Sequence, residues 1–109
     1  MYKFKSRAAS DLIMLEPNGR QILTIIGKDD AASADQGILL PAEMPQAILA
    51  LEAAVVQEER KREQAAEEAR ARGETPPRME GISLRQRAVP FIEMLRRCHK
   101  ANKEIVWGV

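Results

Sequence analysis

One stretch governs what this chain can fold into: a helix-patterned segment from Pro45 to Arg72 that changes character halfway along. Its first half, Gln46 to Val56, carries a bulky apolar stripe at Ile48, Leu51 and Val55, with Ala47 and Ala54 beside it. Its second half, Gln57 to Arg72, has no large apolar residue. An amphipathic helix buries its stripe and solvates the rest, so the pattern predicts a small core with a charged arm leaving it. Pro45 suits a first helical turn, where its missing N–H costs nothing. Gly73 and Thr75-Pro76-Pro77 end the helix. At a rise of about 1.5 Å per residue the segment is about 42 Å long, longer than a domain this small is wide. Glu58–Arg62 and Glu68–Arg72 support the arm at four-residue spacing, while Glu59–Glu63 and Glu63–Glu67 oppose it.

The arm takes residues away from a chain that has few to spare. Of 109 residues, setting aside 57–81 leaves roughly 80 for a core, a size at which burial per residue is marginal. Self-association or a protein partner is the expected remedy. Seventeen Lys and Arg face sixteen Asp and Glu, a net charge of +1, so no global field draws the chain to nucleic acid or to an anionic membrane. The single cysteine, Cys98, excludes an intramolecular disulfide and fits a reducing compartment. The basic N-terminus precedes an apolar run of only Leu12 to Leu15, short of a secretory core. The longest apolar stretch, Ile48 to Val56, is interrupted by Glu52 and cannot span a bilayer. A cytoplasmic protein is expected.

Tyr2 to Arg7 alternates, with Tyr2, Phe4 and Ser6 on one face and Lys3, Lys5 and Arg7 on the other, the pattern of a half-buried strand. Leu12 to Leu15 is apolar on both faces, so a strand covered on both sides is expected. Residues 18–27 read two ways. A turn at Glu16-Pro-Asn-Gly19 would make Gln21 to Ile26 the second strand of a hairpin. A cap at Asn18 would start a short helix with Ile22, Ile25 and Ile26 on one face and Gly27 as its stop, and the spacing favours this helix. Asp29 to Gly37 is small, polar and expected to be mobile, and Ile38 to Leu40 leads into Pro41. Ser83 and Gln86 form a capping box that opens a second amphipathic helix, Leu84 to about Lys100. Its stripe is Leu84, Ala88, Phe91, Leu95 and Cys98, and Pro90 inside it predicts a kink. Glu104 to Val109 alternates as a closing strand.

The expected fold is therefore α+β, in a single domain over 1–109. A small antiparallel sheet, made of an N-terminal hairpin plus the C-terminal strand, packs against a short helix and a long antiparallel helix hairpin. Residues 57–81 protrude from it as a charged helix end and loop.

Several stretches together carry a resemblance: Tyr2 to Ser6, Asp11 to Leu15, Ile25 to Lys28, Met44 to Ile48, Ser83 to Leu95 and Val106 to Val109. On these the chain resembles the bacterial domain-of-unknown-function family DUF1840. Gln86-Arg-Ala-Val-Pro90 and the Val-Trp-Gly-Val ending are the most specific parts. The resemblance implies a short stand-alone bacterial protein and supports the helix after Asn18. It brings no activity, ligand or catalytic residue.

No set of residues converges on a chemistry. Cys98 and His99 are neighbours that point about 100° apart on a helix; Cys98 continues the apolar stripe, His99 leaves it, and no second His exists to share a metal. Gly19 and Gly27-Lys28 lack the spacing of a phosphate loop, and Asp29 follows the lysine where Ser or Thr belongs. The arm continues the stripe of the long helix only as Glu58, Arg62, Ala65 and Ala69, without the knobs of a coiled coil. The expectation is a non-enzymatic protein-interaction or scaffolding domain, self-associating or bound to another protein, with no catalytic, cofactor or metal residues. Trp107, Tyr2 and Phe4 are its candidate interface anchors, because hot spots favour large aromatics. The alternative is weak nucleic-acid binding through Lys3, Lys5 and Arg7 with Arg85, Arg87, Arg96 and Arg97 of the last helix. Nucleic acid is disfavoured because aromatics and cations alternate to opposite faces, and neither a membrane nor a small-molecule ligand is indicated.

Overall fold

A computed structural model describes residues 1–76 and 83–109; the expected arm and the Pro76-Pro77 turn therefore fall partly outside the described residues. The element order is β1 (Tyr2–Phe4), β2 (Leu12–Met14), α1 (Glu16–Ile25), β3 (Gly37–Leu39), α2 (Met44–Ala71), α3 (Leu84–Ala101) and β4 (Ile105–Trp107), with a short 3-10 turn at Pro41–Glu43. The α+β architecture and the helix hairpin are as expected. The strands are not arranged in one three-stranded sheet.

Instead, β1 pairs antiparallel with β2, Lys3 opposite Ile13, and β3 pairs antiparallel with β4, Ile38 opposite Val106. The two ribbons meet edge to edge where Lys5 and Val106 exchange backbone hydrogen bonds of 2.8 and 2.9 Å. In space the strands thus run β2-β1-β4-β3. The N-terminal alternation holds, since Tyr2 and Phe4 are buried while Lys3 is exposed. The expectation of two-sided cover for Leu12 to Leu15 is corrected: β2 is an edge strand, and Ile13 is 54% and Leu15 62% exposed.

Residues 18–27 are helical. The helix begins earlier than a cap at Asn18 would allow: Leu15 is the N-cap, Glu16 is in the first turn, and Pro17 occupies an early position where no N–H is missed. Gly19 lies inside it and lets the helix backbone approach the Tyr2 ring, within 2.3 Å of where a Cβ would stand. Gly27 closes it at φ +80. The Lys28 N–H bonds the Leu23 carbonyl at 2.8 Å and the Gly27 N–H the Thr24 carbonyl at 3.2 Å, the paired bonds of a left-handed C-terminal cap. Helix α3 starts on the expected box, with the Gln86 N–H on Ser83 Oγ and the Ser83 N–H on Gln86 Oε1. It runs through Pro90 to a left-handed Asn102.

The core forms where the strands' inner faces meet the helices. Phe4 is its hub, edge-on to Phe91 at 4.9 Å, tilted against Trp107 at 5.8 Å and stacked with Tyr2 at 6.0 Å. Leu51, Met44, Leu95, Ile22, Leu23, Ile105 and Cys98 are buried around it. The segment Asp29 to Gly37 is not the free loop expected. The Tyr2 hydroxyl donates to the Ala34 carbonyl and the Trp107 indole N–H to the Ser33 carbonyl, both at 2.7 Å. Two donors from opposite ends of the chain pin it.

The charged arm also departs from expectation at its root. Glu58 accepts the Leu84 N–H at 3.2 Å, supplying from α2 an acceptor for an otherwise open donor at the start of α3. Arg62 holds Glu58 at 2.8 Å. Ala69, further out, is buried. The arm is thus anchored to α3 at Glu58 and Arg62, and beyond Arg62 α2 buries only the small side chain of Ala69. Replacing residues 64–81 with a short Gly/Ser loop should therefore leave the thermal midpoint within a few degrees. Replacing 57–81 removes the Glu58 acceptor and the Glu59 partner of Arg85, and should lower it by about 4–8 °C for each ~1 kcal/mol lost. Thermal denaturation of the two variants separates these boundaries.

Candidate functional site

Trp107, Phe4 and Tyr2 are placed in the core, at 0%, 0% and 6% exposure. Their rings offer a partner almost no surface, and the two polar tips are spent on Ser33 and Ala34. Of the basic residues of the alternative reading, Lys5 and Arg7 line one concavity with Glu104, while Arg85, Arg87 and Arg96 are engaged elsewhere. Lys3 and Lys5 belong to the outer sheet face, where Lys5 Nζ donates to the Val109 carbonyl at 2.9 Å. Arg87 ties α3 to α1 through Asn18 Oδ1 at 3.0 Å and Gln21 Oε1 at 2.6 Å. Arg85 and Arg96 pair with carboxylates of α2. Cys98 is fully buried and His99 exposed, so the two do not form a pair at the surface. Among the described residues no three His, Cys, Asp or Glu side chains come together as metal ligands, and no helix is long and apolar enough to cross a membrane.

What the fold does leave open is one side of the helix hairpin. Packing α2 and α3 through Leu51, Val55, Leu84, Ala88 and Ile92 turns a flank of each helix to the same side, and a groove of about 230 Å³ runs between them. Val55 and Ile92 form its floor, and Val56 and Val89, 43% and 40% exposed, form its lips. Leu49, 67% exposed, precedes Val56 by seven residues, two helical turns, and so extends the same flank. Ion pairs stand on either side of Val56 and Val89 along the groove. At one end both nitrogens Nε and Nη2 of Arg85 engage the two oxygens of Glu59, Nη2 at 3.1 Å. At the other, Arg96 meets Glu52 at 3.5 Å. The hydrogen bonds from Arg85 hold the Glu59 carboxyl below its ordinary range and raise the guanidinium in turn. The charges are segregated, with both acids on α2 and both of their bases on α3.

This family resemblance is now decided by a match across the chain. The model of the domain-of-unknown-function family DUF1840 matches residues 1–107. The chain belongs to the DUF1840 family. No curated protein and no solved structure matches it. Family membership as described carries no activity, so the groove has to be read from its own chemistry. Its groups are apolar side chains, two acid–base pairs and the carboxylate of Glu93. The arrangement can desolvate a partner's apolar surface and orient it by charge.

Sequence reasoning missed Leu49, Val56 and Val89 because the search for periodicity followed only the stripe that became core. The signal was present as the seven-residue spacing of Leu49 and Val56 beside Glu52 and Glu59 on one flank.

A second concavity, about 480 Å³, lies between the end of α1 and the start of α2, lined by Ile25, Ile26, Leu39, Ala47 and Glu43 among others. Its charged wall is already neutralised, as Lys28 Nζ sits 2.8 Å from Glu43, which also accepts the Leu40 N–H. The Lys28 hydrogen bond, followed by that from Leu40, lowers the Glu43 pKa below its ordinary 4.5. A carboxyl with a lowered pKa stabilises the fold above its unfolded value, and that contribution is lost as pH falls through the lowered one. Glu43→Gln should consequently flatten the decline in unfolding free energy below about pH 4.5, by under about 1 kcal/mol because the pair is partly solvated. Urea titrations across the acid range measure this.

Proposed function

We propose that this DUF1840 domain is a non-enzymatic protein-interaction module that docks partners along the α2–α3 groove. The observation that carries this reading is the open apolar strip of Val56 and Val89 between the Glu52–Arg96 and Glu59–Arg85 pairs, continued past Glu52 by Leu49. Isolated exposed aliphatics are ordinary on protein surfaces. A strip of them with a buried floor and a charged rim has the anatomy of an interface, apolar at the centre and polar at the edge. The lack of convergent polar groups in either concavity favours binding over catalysis, and the thin core of a domain this size gives a partner something to stabilise.

The test is differential. Val56→Asp combined with Val89→Asp charges the strip at positions that are not needed for the core, so circular dichroism should report an unchanged fold. Wild type and variant, immobilised side by side, are exposed to an extract of the native cell. Proteins held by the wild type and released by the double variant are expected. Identical retention by both overturns the groove as the docking surface.

A further inference from the structure

We infer that the partner for which this groove is built is a second copy of the same chain, docked face to face about a two-fold axis parallel to the helix hairpin. The inference rests on the interaction reading above and specifies its occupant. It starts from the segregation of charge. On the groove face α2 presents Glu52 and Glu59, and α3 presents Arg96 and Arg85 at the same two levels.

A symmetric dimer brings the same patch together twice, so the patch has to complement itself. Two face-to-face arrangements keep the helices aligned. With the two-fold axis lying across the helices, α2 meets α2 of the other copy and α3 meets α3. Glu59 would then stand over Glu52 and Arg85 over Arg96, acid against acid and base against base at both ends. With the axis running along the helices, α2 of one copy lies over α3 of the other at the same level. Glu59 then faces Arg85, and Glu52 faces Arg96, across the interface as well as within each chain. Each end becomes four charges alternating at the corners of a square, and Leu49, Val56 and Val89 of both copies close the seam between them.

Glu93, also on the groove, is the one acid on the α3 side. It lies one helical turn before Arg96, so a cation of the same face stands beside it. Like charges placed directly together across an interface suppress the wrong docking more strongly than matched pairs at a rim strengthen the right one. The charge pattern therefore selects the axis, and the apolar strip supplies the attraction.

The size of the face sets how tight the assembly is. Eighteen residues of α3 make a face about 27 Å long and two helices, about 20 Å, wide, on the order of 540 Å² for each copy. Doubled, that falls near or below the ~1,200 Å² at the lower end of specific interfaces. A reversible dimer that dissociates on dilution is the outcome.

The test uses the full chain in sedimentation velocity at rising concentration, up to millimolar, with thermal unfolding to check each variant's fold. Wild type should shift from monomer to dimer. The all-acid face made by Arg85→Glu and Arg96→Glu should remain monomeric, as should the all-base face made by Glu52→Arg and Glu59→Arg. Mixing the two variants should restore a dimer, because one face now complements the other. The fourfold exchange Glu52→Arg, Glu59→Arg, Arg85→Glu and Arg96→Glu reverses every charge while keeping the pattern, and should dimerise like wild type. A wild type that stays monomeric overturns the second copy as occupant. So does a dimer that persists in both charge-uniform variants, because it would use another face. A monomeric wild type whose capture of other proteins still depends on Val56 and Val89 leaves the interaction reading standing with a different partner, whereas loss of both removes the two together.

Discussion

Trp107→Ala should be the most damaging single substitution in the domain, lowering stability by about 3–5 kcal/mol as large aromatic truncations in cores do. Against a total of about 5–15 kcal/mol for a typical domain, that loss unfolds a substantial part of the population near physiological temperature. The indole is fully buried, packs on Phe4 at 5.8 Å, and covers Gly37 so closely that a Cβ there would lie 2.5 Å from the ring. It also donates to the Ser33 carbonyl. Truncation thus opens a cavity and strips a partner from a backbone acceptor at once. Trp107→Phe separates these contributions: most of the bulk is kept and the N–H is lost, so a smaller cost, about 1–2 kcal/mol, is expected. Urea denaturation of both variants gives the comparison, and equal losses would show that the hydrogen bond, not the packing, dominates.

Gly108→Ala should come next, at about 2–4 kcal/mol, and a second glycine shows why. Gly27, Gly73 and Gly108 all have positive φ, between +75 and +80. A left-handed conformation costs an alanine about 1–2 kcal/mol by itself. At Gly27 and Gly73 nothing lies within 4 Å of an added Cβ, so that backbone term is the whole expected effect. At Gly108 the Cβ would stand 2.1 Å from the Asp35 carbonyl oxygen and 2.8 Å from the Gln36 Cα. Both are backbone atoms, which cannot swing aside as a side-chain tip can. The clash must lift residues 33–37 away from β4, with loss of the Trp107–Ser33 bond. Measured unfolding free energies should accordingly rank Gly108→Ala well above Gly27→Ala and Gly73→Ala, and a similar cost at all three would mean that residues 33–37 yield freely.

The helices were legible in the sequence because their signals are local. Ser83 and Gln86 announce the start of α3 within one turn, and Gly27 and Gly73 the ends of α1 and α2. Asn18 misled because a good capping residue also fits inside a first turn when Pro17 precedes it. Strand β3 had no local signal at all: Gly37-Ile-Leu39 follows a polar run, and its partner lies nearly seventy residues away. The order of the pinned loop was hidden for the same reason, since its hydrogen-bond donors are Tyr2 and Trp107. Those aromatics read first as core and only second as anchors for a partner, and composition alone does not choose between the two. The groove was half legible. Its acids, bases and aliphatics recur at helical spacing, but which flank stays open depends on how α2 and α3 lean together.

The spatial order β2-β1-β4-β3 places an inner position of the strand array in the keeping of β4, the last of the described elements to be synthesised. A nascent chain can wind α1 and α2 and close the first hairpin early, because those contacts are near in sequence and cost little loop entropy. Until Ile105, Val106 and Trp107 arrive, β1 and β3 have facing edges with nothing between them, and Phe4 lacks one of its ring neighbours. Completion of the strand array is thus tied to the synthesis of β4. A growing polypeptide stalled before residue 105 would expose two open strand edges and an aromatic cavity, the kind of surface that chaperones and aggregation compete for.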